Sequence, residues 1–200
     1  MIVMMDTSTP LEVCEAELGM PCEQLCTPAS NRSLQREAGR FCVDNGAFAN
    51  FDGDAFMRLL NKLEPSRAAC RFIAVPDVVG SARRTIEAFE RWAPRLKSKR
   101  WPLAFVCQDG QEDAPIPWDD IAAVFIGGST KWKLSESAGA IIKASRVMNC
   151  WCHVGRVNTP GRLEFFEASG ADSCDGTGLA RYTHMRAAVH ASRVAPRLDF

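Results

Sequence analysis

What most constrains this chain is a recurring order: a short continuous apolar run, a turn rich in Asp or Gly, then a helical pattern. The runs lie at residues 2–5, around Leu25, and at 41–43, 72–75, 103–107, 122–126, 151–154 and 171–174, about eight in all. Most are continuous rather than alternating, as strands of a parallel sheet buried on both faces must be. Helical patterns fill the gaps. Ser81 caps one whose Ile86, Phe89 and Trp92 share a face, and Ala138, Ile141, Ile142 and Ala144 give another a core stripe. Thr159 and Pro160 open a third as cap and first residue, Leu163 and Phe166 face inward, and Gly170 closes it. Strand–helix alternation implies right-handed βαβ units, and about eight of them close most economically into an α/β fold of the (β/α)8, TIM-barrel type. An open doubly wound sheet is the competing arrangement, because the runs near Leu25 and Ala171 are weak.

Composition narrows the class further. At 46% hydrophobic and 24% charged residues, the chain has globular averages and fits neither a disordered tail nor a membrane protein. No repeat, low-complexity tract or linker divides it, so residues 1–200 are expected to form one compact domain. Lysine plus arginine equals aspartate plus glutamate, 24 against 24. That balance excludes a protein that coats nucleic acid through uniform positive charge, though not a local basic patch. Nine cysteines, an odd number, several inside apolar runs, indicate buried thiols in a reducing compartment. The apolar stretch Met1 to Met5 ends at Asp6 and is too short for a signal peptide or membrane span. A cytoplasmic location is expected.

The polar residues that follow the apolar runs carry the functional signal. Phe41-Cys42-Val43 leads into Asp44-Asn45-Gly46, Pro76 into Asp77, and Cys107 into Gln108-Asp109-Gly110; the later runs end in Gly127-Gly128-Ser129, Gly155-Arg156 and Asp175-Gly176. In a parallel barrel these ends share one rim, so Asp44, Asp77, Gln108 and Asp175 converge on one pocket. A lone Asp after a strand more often caps the next helix. Three in register point to a site. Gly46, Gly127, Gly128 and Gly176 remove side chains where a planar ligand could approach backbone amides.

These residues resemble a known family. Asp44-Asn45-Gly46-Ala47-Phe48 is similar to the aspartate-serine-glycine-glycine-phenylalanine motif of tRNA-guanine transglycosylases, and Gly170-Ala171-Asp172-Ser173-Cys174-Asp175 resembles the segment that ends in their nucleophilic aspartate. In between, Asp77 and Gln108 stand where the family has base-recognising residues, and Gly127-Gly128 where backbone amides meet the base. His153-Val154-Gly155 followed by Thr159-Pro160 is similar to the methionine-glycine-valine-glycine-threonine-proline stretch. No cysteine follows Cys174, so the zinc subdomain of the tRNA enzymes has no counterpart. The chain more closely resembles the short phage and bacterial 7-deazaguanine DNA transglycosylases, with tRNA the less fitting substrate.

The resemblance implies a barrel that replaces guanine in DNA by a 7-deazaguanine of the preQ0 or preQ1 type, without metal or organic cofactor. Asp175 would attack C1′ and form a covalent glycosyl-enzyme, and Asp44 would protonate the leaving guanine and then deprotonate the incoming base. The two carboxyl groups are expected close enough to flank a ribose. Asp77 would take the N1–H and amine edge of guanine, with Gln108 and the Gly128 amide on the carbonyl side and Asn45, Phe48 and Gly127 completing the substrate pocket. The guanosine must be flipped out or single-stranded. Lys131, Lys133, Arg156 and Arg181 follow the same strand ends and are candidates for a phosphate-gripping rim; Trp132 could stack a base.

Two other functions fit the same residues: a metal-dependent hydrolase with Asp44, Asp77 and Asp175 as ligands, and a protein that binds guanine or modified DNA without turnover. Cys150, Cys152 and His153 hold potential zinc ligands but need partners from elsewhere, as do Cys22 and Cys26. Cys107 and Cys174 are expected as core thiols, and His184 and His190 as surface or packing residues.

Overall fold

The computed structural model describes residues 1–36 and 39–195. Eight parallel strands form a closed barrel in chain order, β1 pairing with both β2 and β8. The order along the chain is β1 Ile2–Met5, α1 Leu11–Leu18, β2 Cys22–Cys26, β3 Phe41–Val43, α2 Gly53–Leu63, β4 Cys70–Ala74, α3 Ala82–Ser98 and β5 Leu103–Cys107. Then come β6 Ala123–Ile126, α4 Thr130–Lys133, α5 Glu136–Val147, β7 Trp151–Val154, α6 Pro160–Ser169, β8 Ser173–Asp175, α7 Thr177–Arg181 and α8 Thr183–Val194. The (β/α)8 expectation holds, and closure answers the open-sheet alternative. The alternation is imperfect at one point: among its described residues, the connection from β2 to β3 carries no helix. Among the described residues, no helix is long and apolar enough to cross a membrane.

The helix ends follow local chemistry. Ser81 accepts the amide of Arg84, Thr159 accepts that of Arg162, and Gly170 closes α6 at φ 97°, a left-handed turn that glycine adopts without steric cost. Two residues, Ala171 and Asp172, follow Gly170 before the strand starts, so the last strand begins at Ser173 rather than Ala171. That shift makes Asp175 the final residue of β8. The helices pack their apolar faces on the outside of the strands, as with Phe56, Leu59, Leu60 and Leu63 of α2.

A second, smaller apolar cluster fills the barrel itself: Met4, Leu25, Cys42, Phe72, Ala74, Ala104, Val106, Ala123 and Phe125. Strand alternation puts every second residue inside, so Trp151 and His153 of β7 and Ser173 and Asp175 of β8 also point inward. The β3–β4 register skips Arg71, pairing Phe41 with Cys70 and Cys42 with Phe72. This bulge lets Arg71 turn into the amino-terminal end of the barrel beside the inward-facing Phe72. There it meets Glu23 at 2.5 and 2.6 Å and stacks 4.4 Å from the Trp151 ring centroid. All nine cysteines are free and buried, and burial pushes the Cys107 and Cys174 thiols up, as expected of core thiols.

Candidate active site

A cavity of about 220 Å³ opens at the carboxyl ends of the strands. Its floor is apolar, made by Met4, Leu25, Ala74, Val106 and Phe125, and its walls carry Asp6, Asp44, Asp77 and Asp175. The volume lies below the roughly 300–1,000 Å³ of drug-sized pockets, so the enclosed part suits one small planar group.

Asp44 and Asp175 line this one cavity, as the sequence implies. The Asp44 carboxylate accepts the Gly46 amide at 2.6 Å, an Asx turn made possible by Gly46 at φ 77°. Asp44 keeps an edge toward the cavity, yet protein atoms surround it. Desolvation, with the nearby Asp175 charge adding to it, pushes its carboxyl up to about 7. Asp175 is 8% exposed and accepts hydrogen bonds on both oxygens, Oδ2 from His153 Nε2 at 3.0 Å and Oδ1 from the Arg156 amide at 3.2 Å. One carboxyl is therefore desolvated with a single strong donor; the other is held from two sides.

Asp77 forms a tight unit with two predicted neighbours. Its Oδ1 accepts Asn45 Nδ2 at 2.8 Å and its Oδ2 accepts Gln108 Nε2 at 2.7 Å. Burial pushes the Asp77 carboxyl up against those two bonds. Asn45 also donates to Val75 O and accepts from the Ala47 amide, while Gln108 Oε1 accepts from Gly80. Both amide hydrogens of Asn45 are therefore committed to the protein. Asn45 lines the cavity and, through these bonds, orients Asp77.

The two glycines after β6 differ from expectation. The amides of Gly127 and Gly128 both donate to Cys107 O, at 2.9 and 3.2 Å, so the Gly128 amide is not free to read a base. Close packing explains the residue type: a Cβ on Gly127 would lie 2.7 Å from Val106 Cγ1, and one on Gly128 2.5 Å from Trp132 Cε3. Gly127 lines the cavity; Gly128 lies behind it. Asp109 accepts from the amide and hydroxyl of Ser129 at 2.7 and 2.5 Å, holding the residue that itself caps α4 through the Trp132 amide.

The expected basic rim splits. Arg156 adopts φ 61°, a conformation uncommon outside glycine. Its guanidinium donates to Gly127 O and to Gly128 O and lies 4.3 Å from the centroid of the exposed Phe48 ring. It is a wall of the cavity rather than a surface phosphate grip. Lys133 is 2% exposed and donates to Gly155 O, and burial lowers its amine to about 8; it too leaves the rim, because the turn of α4 that exposes Lys131 faces Lys133 inward. Arg181 is exposed at the cavity mouth, and Lys131 is exposed away from the lining. Trp132 is buried and donates to Glu112 at 2.7 Å, a packing role rather than a stacking one.

Three polar residues, Asp6, His153 and Ser173, belong to the site although the sequence assigns them no part in it. Asp6 follows β1 as Asp77 follows β4, and its Oδ2 accepts from Thr27 at 2.9 Å; the same strand-end rule would have found it. His153 is fully buried between Phe72 and Phe125, with ring centroids at 5.3 and 4.5 Å. Its Nδ1 lies 2.9 Å from Ser173 Oγ, which in turn accepts Trp151 Nε1 at 2.8 Å. The alternation of Trp151 with His153, and of Ser173 with Asp175, was a legible signal. Among the described residues, no group of three or more His, Cys, Asp or Glu side chains is arranged to hold a metal ion.

No family model matches the chain, and no curated protein matches it. Among solved structures, it is similar to the PaMucR phosphodiesterase in its c-di-GMP complex, at 18% identity and a TM-score of 0.45, over 71% of this chain. The matched region spans 61% of that structure's chain.

Proposed function

We propose that the chain is a base-exchange transglycosylase that replaces guanine in DNA with a 7-deazaguanine of the preQ0 or preQ1 type. One observation carries the reading: two carboxyl groups share a small cavity at the barrel rim, one raised to about 7 by burial and the other held by donors on both oxygens. Paired carboxyl groups with separate environments are what glycosyl exchange with retention requires. Asp175 attacks C1′ of a flipped or single-stranded guanosine, the C1′–N9 bond breaks, and its electron pair leaves with the purine as Asp44 delivers a proton. In the second half, Asp44 takes the proton of the incoming base, whose nitrogen attacks C1′ and releases Asp175.

Recognition falls to Asp77, whose oxygens keep lone pairs free toward the cavity beyond those bonded to Asn45 and Gln108. Phe48, stacked on Arg156 at the mouth, offers a face to the purine. Arg181 and Lys131 are the exposed cations available to flanking phosphates. The chemistry calls for neither metal nor organic cofactor.

Nucleoside mass spectrometry of DNA from cells expressing the protein with a 7-deazaguanine supply tests the reading, and a modified deoxynucleoside is the expected result. In vitro, guanine-containing DNA should form a covalent complex that survives a denaturing gel, is insensitive to chelators, and is lost in Asp175→Asn. Wild-type adduct levels in Asp175→Asn would remove it as nucleophile, and adduct loss on chelation would turn the reading toward a metal-dependent hydrolase.

A further inference from the structure

The barrel interior contains a polar line that the exchange chemistry does not itself require. It runs from the Glu23–Arg71 pair through Trp151, Ser173 and His153 to Asp175. We propose that Trp151 and Ser173 lock His153 as its Nε2–H tautomer, making it a positioning residue that holds the Asp175 carboxylate in one orientation. The proposal rests on the reading of Asp175 as nucleophile.

Direction follows from donor chemistry. An indole N–H can only donate, so Ser173 Oγ is the acceptor in the 2.8 Å bond from Trp151. The Ser173 hydroxyl hydrogen then has His153 Nδ1, at 2.9 Å, as its acceptor among the described residues. A ring nitrogen that accepts is unprotonated, which leaves the imidazole hydrogen on Nε2, facing Asp175 Oδ2 at 3.0 Å. The opposite tautomer would set the Nε2 lone pair against a carboxylate oxygen and leave the serine hydrogen without an acceptor. Arg71, stacked on Trp151 and gripped by Glu23 through two bonds, anchors the far end.

The consequence lies at Oδ1. With Oδ2 turned to a fully buried histidine, Oδ1 is the oxygen left to approach C1′, steadied by the Arg156 amide at 3.2 Å. When Oδ1 bonds to C1′, Oδ2 becomes the ester carbonyl and still accepts from Nε2–H. When that bond breaks, the carboxylate reforms against the same donor. The carboxyl group thus keeps one orientation through both half-reactions.

The test combines nitrogen NMR of the three histidines with adduct kinetics. In ¹⁵N-labelled protein, His153, assigned by its disappearance in His153→Gln, should give the pattern of an Nε2–H tautomer. Ser173→Ala should shift it toward the other tautomer. The same variant should slow adduct formation by on the order of ten- to a hundredfold, as outer hydrogen-bond partners do at metal sites, with DNA affinity nearly unchanged. Ser173→Thr should restore the rate, and His153→Gln, which keeps a donor, should exceed His153→Leu. A wild-type Nδ1–H tautomer, or an unaltered adduct rate in Ser173→Ala, overturns the relay. Should wild-type protein form no adduct with any guanine-containing DNA, the transglycosylase reading fails, while the tautomer and its response to Ser173→Ala still decide the relay.

Discussion

At the amino-terminal end of the barrel interior, Arg71 meets Glu23 through two hydrogen bonds and places its guanidinium carbon over the Trp151 ring. At the carboxyl end, Asp6, Asp44, Asp77 and Asp175 face one cavity, and Arg156, one of two arginines in its lining, directs its guanidinium at backbone carbonyls. Both ends bury charge. The lower end matches Glu23 with the opposite charge of Arg71, which ties strand β2 to strand β4. The upper end gathers like charges with few cations; there burial raises the carboxyls of Asp44 and Asp77, and the Asp175 charge adds to the rise at Asp44. A barrel can thus keep stability and reactivity apart by placing paired charge at one end and unpaired charge at the other.

The largest expected effect comes from the unpaired end. Under the proposed exchange, Asp44→Asn would keep the nucleophile and remove the proton donor, so release of guanine should slow by about 10²- to 10⁴-fold, while a purine that leaves more readily should be rescued. Equal loss with both leaving groups would make Asp44 structural and break the contrast. The same group predicts the pH response. Its carboxyl is raised to about 7 in the folded protein, so between about pH 4, where the unfolded chain ionises, and about pH 7 the folded state binds more protons. Stability should therefore fall as pH rises across that window and level off above it. Denaturant titrations should show this slope in wild-type protein and its loss in Asp44→Asn, and adduct formation with guanine should decline above pH 7.

The paired end should respond in stability rather than chemistry. Arg71→Met strands the Glu23 carboxylate, and because both side chains keep some exposure the loss should be about 2–3 kcal/mol, below the fully buried value. Adding Glu23→Gln should recover much of it. An unchanged denaturation midpoint in Arg71→Met would mean that the pair does not stabilise the barrel.

Between the two lies Arg156, which joins the cavity wall to Phe48. Arg156→Lys removes the fork onto Gly127 and Gly128 and weakens the aromatic stack, an effect of about 1 kcal/mol that should appear as a KM rise of several-fold. The smallest effect is expected on the surface. If the chain grips DNA as proposed, Lys131→Ala should lower the salt slope of that binding by about one without altering the fold, whereas Lys133→Met should change stability, since its amine is buried on Gly155 O. Equal salt slopes for Lys131→Ala and wild type would remove Lys131 from the phosphate contacts.

The sequence by itself determined the barrel and the location of its site. Continuous apolar runs such as Leu103–Cys107 can be strands only if both faces are covered, and parallel strands bring all their carboxyl ends to one rim, so Asp44, Asp77, Gln108 and Asp175 were bound to meet. Their partners were not legible in the same way. Whether Gly128 offers its amide to a ligand or to Cys107 O depends on the register between β5 and β6. Whether Lys133 reaches solvent or Gly155 depends on the rotation of a four-residue helix. His153 looked like one member of a cysteine cluster because the neighbours that define it, Ser173 and Asp175, lie 20 and 22 residues away. Hydrophobic periodicity is a local property and survives in the sequence; hydrogen-bond partnership is set by closure of the barrel, which only the tertiary structure decides.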